Sequence, residues 1–165
     1  MNLRIGELVA LVIILGALSI GFLGDNQAAN LSYPSLSMVD HYTGTTWKIC
    51  NSYVGIAKES HFTCLYKLGN YPVAFANYTD SGGDILYVTE IVFPNSQVAH
   101  SYMLSAAPSS VTSANNGYVS TYISGYTEIV YLQHGNRVIE ISFIGSSGLL
   151  PSTTSLEDLA IAVLG

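Results

Sequence analysis

Cys50 and Cys64 are the residues of this chain with the most definite chemistry. In an oxidising compartment they close a short loop, and a bridge of that span stabilises a fold by about 3 kcal/mol through restriction of the unfolded chain. Adding His61 and His41 completes a four-ligand set for zinc, but structural zinc sites bring paired C-x-x-C or H-x-x-x-H ligands, and this set has neither. A thiol nucleophile working with His61 has no neighbour that would lower its pKa. The Cys50–Cys64 disulfide is therefore the expected state. The many serines could be combined with His100 or His134 into a hydrolytic triad, yet no Gly-x-Ser-x-Gly marks a nucleophile.

Asp80-Ser-Gly-Gly-Asp84 lacks the alternating acids and terminal Glu of a calcium loop and reads as a hairpin turn. No glycine loop sits between a strand and a helix as nucleotide sites require. No catalytic residue, metal or cofactor is expected. Asn30-Leu-Ser32 and Asn77-Tyr-Thr79 match the N-glycosylation sequon; Asn77 could carry a glycan only if it emerges at a strand end. Of the twelve tyrosines, Tyr118, Tyr122, Tyr126 and Tyr131 cluster in one hairpin region. With Glu140 they form a candidate binding surface for protein or glycan, since Tyr offers wide amphipathic contact at low entropy cost.

These residues need a scaffold, and its first element is the uncharged run Leu8–Gly24. A cleaved signal, an uncleaved anchor and a buried core helix compete for it. The run exceeds a typical signal core, the best cleavage context, Gly21-Phe-Leu-Gly24, is a mediocre one and the later Gln27-Ala28-Ala29 fails at −3, so a retained single-pass anchor over residues 5–24 is favoured. Arg4 orients it with the C-terminal part outside. Asp25–Asp40 carries Pro34 and no periodicity, and reads as a stalk before a domain at residues 41–165.

Within that domain the dominant period is two. Trp47–Tyr53, Phe62–Leu68, Val73–Tyr78, Ile85–Phe93, Tyr118–Ile123, Thr127–His134 and Arg137–Ile144 are expected strands. Ile85–Phe93 is apolar on both alternating sets and should be central. Pro108–Gly117 is expected as loop. Gly135-Asn136 suits a two-residue hairpin turn that sets His134 opposite Arg137, Leu132 opposite Ile139, Tyr131 opposite Glu140 and Val130 opposite Ile141. Val130, Leu132, Ile139, Ile141 and Phe143 then face the core. Ile129, Tyr131, Gln133, Val138, Glu140 and Ser142 can meet water, which makes Glu140 an exposed strand residue. Asn95 or Ser96 caps a helix over Ser96–Ser105, and Thr154 with Glu157 forms a capping box for a C-terminal helix. The expected class is α+β: an N-terminal transmembrane helix, then an antiparallel sheet with two helices packed on one face.

Charged residues make up 10% of the chain, well below the roughly 25% usual for soluble domains. With a net charge of −6 and only Lys48, Lys58, Lys67 and Arg137 as cations beyond the apolar run, no nucleic-acid partner is expected.

Two resemblances add to this. Glu7-Leu-Val-Ala-Leu-Val-Ile-Ile-Leu-Gly16 resembles the hydrophobic N-terminal helix of type IV pilins and pseudopilins, although Gly21, Gly24 and Pro34 break the helix where a pilin stem continues. Val92-Phe-Pro-Asn-Ser-Gln-Val-Ala-His100, His134-Gly-Asn-Arg-Val-Ile-Glu140 and Leu156-Glu-Asp-Leu-Ala160, in that order, resemble small membrane-anchored extracytoplasmic domains of the lipoprotein or sensor type. That resemblance implies ligand sensing or envelope interaction. The expected function is a non-catalytic binding domain held at the cell membrane with its C-terminal part outside. A pilin-like subunit of a surface filament or virion is the alternative, and an exported hydrolase the third.

Overall fold

The computed structural model describes residues 31–114, 117–146 and 150–165. The expected anchor over Leu8–Gly24 and the sequon at Asn30 lie outside them. No helix among the described residues is long and apolar enough to cross a membrane.

The last hairpin forms as its turn chemistry dictates. Gly135 takes φ 58°, and the pairs His134↔Arg137, Leu132↔Ile139, Tyr131↔Glu140 and Val130↔Ile141 follow. In chain order the elements are α1 (Leu36–Thr43), β1 (Trp47–Ile56), a single 3-10 turn (Ala57–Glu59), α2 (Thr63–Tyr66), β2 (Pro72–Asp80), β3 (Ile85–Val92), α3 (Ser96–Ala106), β4 (Thr112–Ala114), β5 (Gly117–Ser124), β6 (Thr127–His134), β7 (Arg137–Ile144) and α4 (Thr153–Leu164).

The strands make one antiparallel sheet in the order β1-β2-β3-β7-β6-β5-β4. Two meanders, β1 to β3 and β4 to β7, thus lie side by side and meet at β3 and β7. The connection through α3 carries the chain from the middle of the sheet to its far edge. As its two apolar sets predict, β3 is central. The short strand β4 arises within the stretch expected as loop.

Helices cover both faces, not one. On the first face α1 and α4 pack over Trp47, Ala76, Tyr78, Leu86, Val130, Ile139, Ile141 and Phe143, with Val39, Leu156 and Leu159 fully buried between them. On the second face α3 and α2 supply Ala99, Met103 and Leu65 to a separate cluster with Val73, Phe75, Ile91, Phe93, Tyr131 and Val138. The hairpin face expected to meet water is therefore half core. Tyr131, Val138 and Gln133 are buried, and only Ile129, Glu140 and Ser142 keep partial exposure. The physical reason is that both alternating sets of β6 and β7 carry apolar side chains, which a sheet in its interior can bury on both sides.

Three further expectations change. Phe62–Leu68 is not a strand: β1 runs on to Ile56, and Ala57 N and Lys58 N donate to Tyr71 O and Gly69 O, closing a tight loop around α2. Phe62, Leu65 and Leu68, three apart, turn onto the second core. That path puts the cysteines on different elements. Cys50 lies at a bulge between Ile49 and Asn51 on the outermost strand, Cys64 lies on α2, and both thiols are free and exposed, so the expected disulfide is not formed.

The stalk expected over Asp25–Asp40 is, from Leu31 onward, part of the domain. Ser35 caps α1 by accepting from Met38 N, Gly44 ends it at φ 72°, and the Tyr78 hydroxyl donates to Pro34 O at 2.6 Å. Finally, α4 is capped by Ser152, which accepts from Ser155 N, and not by a Thr154–Glu157 box; Glu157 accepts from the Thr121 hydroxyl instead.

Candidate functional site

The second face of the sheet is built in rows running across the strands. One row, Val73–Ile91–Val138–Gln133, lies under α3. The next is Tyr53–Phe75–Thr89–Glu140–Tyr131–Ser120, and the third is Asn51–Asn77–Tyr87–Ser142–Ile129–Tyr122. Between α2 and α3 the sheet is left open over the second and third rows, and a cavity of about 370 Å³ forms there. Phe75, Tyr87, Thr89, Glu140 and Ser142 form its floor, with Leu65, Leu68 and Cys64 on the α2 side and Tyr102 on the α3 side.

Local sequence explains why each wall stands where it does. Asn95 caps α3 by accepting from Val98 N, which starts the helix at Ser96 and sets Ala99 and Met103 against the sheet with Tyr102 beside them. The Tyr102 ring packs on Phe93, centroids 5.0 Å apart. Phe75 and Tyr87 stack at 6.3 Å with their planes 21° apart, so two aromatic rings tile the floor.

Glu140 is the one carboxylate in this cavity. Burial pushes its pKa up, while the hydroxyls of Tyr131 and Ser142 beside it pull the other way. Ser142 Oγ donates to its Oε1 at 3.4 Å. Burial likewise raises the Tyr102 and Tyr131 hydroxyls, helped by the Glu140 charge. The Glu90–Arg137 ion pair, the one salt bridge among the described residues, lies on the opposite face. Glu140 thus faces an apolar, aromatic cavity with hydroxyl neighbours, and no Lys or Arg among the described residues pairs with it.

The candidate surface residues are only partly brought together. Tyr131 and Glu140 are cross-strand partners. Tyr131, however, is buried beneath α3 rather than presented to solvent. Tyr122 is exposed at the end of the third row, the Tyr118 ring lies tilted against His100 with centroids 4.0 Å apart, and Tyr126 stands exposed in the β5–β6 turn. His100 Nδ1 also lies 3.2 Å from Gln133 Oε1, so this histidine is tied to α3 packing. Asn77 is in mid-strand between β1 and β3, away from the strand end that glycosylation there would need. The Asp80 turn is borne out: Asp80 Oδ1 accepts from Gly82 N and Asp84 N, and Asp84 Oδ1 from Ser146. Among the described residues no three His, Cys, Asp or Glu side chains converge as metal ligands.

Sequence reasoning missed Phe75, Tyr87, Thr89 and Tyr102. The alternation along β3 puts Tyr87 and Thr89 on one face, but nothing local reveals that β7 pairs with β3 and brings Thr89 beside Glu140.

No family model matches this chain, and no curated protein matches it. Among solved structures it is similar to the extracellular domain of PknH from Mycobacterium tuberculosis, with a TM-score of 0.53 and 10% identity over 79% of this chain and 90% of that one. The likeness shows the fold alone. A GTP binding regulator from Thermotoga maritima is a weaker match, at a TM-score of 0.45 and 14% identity over 79% of this chain and 84% of that one.

Proposed function

We propose that this chain is an extracytoplasmic binding domain, held at a membrane by the run Leu8–Gly24, that presents the cleft around Glu140 to a small ligand. The cleft carries the reading. It is concave, largely apolar and has a few polar groups converging on it, the ordinary make-up of a small-molecule site. No histidine is among its lining residues, and Ser142 meets only the Glu140 carboxylate, at 3.4 Å, so we read the cleft as a site for binding rather than turnover. The solved structure of similar fold is described as an extracellular domain, which agrees with the exported placement that the run Leu8–Gly24 leads us to expect.

Membrane flotation of the full chain, followed by mass spectrometry of its N-terminus and protease treatment of intact cells, tests the placement. The expected result is a floating protein with residues 5–24 intact and its C-terminal part cleaved from outside. A soluble product starting near Asp25 would remove the anchor, and protection from external protease would remove the orientation.

A further inference from the structure

Resting on the cleft as a ligand site, we infer that its ligand is a small organic cation, an ammonium group set against Glu140 with an apolar body among Phe75, Tyr87 and Tyr102. Four observations carry this. Glu140 is held in the cavity without a Lys or Arg partner among the described residues, so an ionised carboxylate there is incompletely compensated until a cation arrives. Three aromatic rings line the same space, and ring faces attract ammonium groups. Among the described residues no cationic side chain lines the cleft, so an anion would meet the Glu140 charge with hydroxyls alone to hold it, and the net charge of −6 favours the approach of a cation. One carboxylate with hydroxyls does not make a metal site, whereas a volume of about 370 Å³ falls at the small end of the range for organic ligands.

The raised pKa of Glu140 adds a directional consequence. A cation binds best to the ionised carboxylate, so affinity should climb as pH rises through the value of this group. The groups facing it are Ser142 on β7, Tyr131 on β6, Thr89 and Tyr87 on β3, Tyr102 on α3 and Cys64 on α2. None of these is cationic, so none competes with the ligand for the charge.

The test uses the full chain and three probes that share a ring and differ in charge: 2-phenylethylamine, 2-phenylethanol and phenylacetate, titrated by NMR chemical-shift perturbation. We expect the amine to bind at least about tenfold more tightly than the alcohol, a difference of about one decade in Kd, and phenylacetate to bind more weakly than either. Glu140→Gln should remove that preference for the amine, and amine affinity for the unaltered protein should increase as pH rises above the ordinary carboxylate range. Tyr87→Leu, at a half-exposed position on the floor, should weaken the amine without unfolding the protein. Equal affinity for amine and alcohol, or an amine preference that survives Glu140→Gln, overturns the cation assignment alone. Absence of shifts at the cleft with all three probes overturns both the assignment and the cleft as a ligand site.

Discussion

Glu128 shows how much a single side chain can decide. It is fully buried on the α4 side of β6, and neither carboxylate oxygen has a hydrogen-bond partner of normal geometry. Burial raises its pKa first and foremost; the nearby Thr153 hydroxyl offsets part of this, and the Glu157 charge adds to it. Its folded value lies above its unfolded value, so the stability it contributes is complete below the unfolded carboxylate range and is lost as pH rises through the folded value. Glu128→Gln removes the ionisable proton and should therefore raise stability at pH 8 relative to its effect near pH 4.5, where the carboxyl is already largely neutral in the folded protein. Thermal melts at the two pH values measure this, and a pH-independent difference would refute it. Arg137 is the opposite case. Its guanidinium pairs with the buried Glu90 and donates to Leu164 O at 2.8 Å, tying the end of α4 to β7. Arg137→Ala leaves Glu90 unpaired and should cost about 3 kcal/mol by urea denaturation.

At the scale of elements, caps and periodicity were legible and the side of the sheet was not. Asn95, followed by Val98, Ala99, Tyr102 and Met103, announces α3 by residue type and spacing alone. Asn95→Ala should cost about 1 kcal/mol, read as a lower denaturation midpoint with an unchanged m-value, because one N-terminal amide loses its acceptor. The β6–β7 register was equally legible, since Gly135 and the two-residue turn leave one pairing that keeps the apolar sets aligned. Phe62–Leu68 misled because aromatic and apolar residues suit either state. The three-residue spacing of Phe62, Leu65 and Leu68 held the helical signal, but only the loop closed between Ala57 and Tyr71 selects it. The α1 signals, Ser35 and Gly44, were also present in the sequence, and Pro34 with the polar stretch before it masked them.

For the whole molecule, α1 locks the two ends of the domain together. It packs on α4 and β1, burying Val39, while Pro34 O receives the Tyr78 hydroxyl from β2. A protein shortened to begin at Trp47 loses that buried side chain and leaves the Tyr78 hydroxyl without its acceptor, together about 3 kcal/mol. It should melt about 10 °C below one that begins at Leu31, as differential scanning calorimetry would show. Equal melting temperatures would return residues 31–40 to the role of stalk. The sequence by itself determined the α+β class, the central place of β3, the final hairpin with its register and the existence of α3 and α4. Each of these follows from local periodicity or turn chemistry. Only the tertiary structure decided that helices cover both faces, that Cys64 sits on a helix and not a strand, and that Glu140 looks into an aromatic cleft. Those outcomes depend on β3 pairing with β7 and on the crossover through α3, contacts between residues far apart in the chain that no short-range pattern encodes.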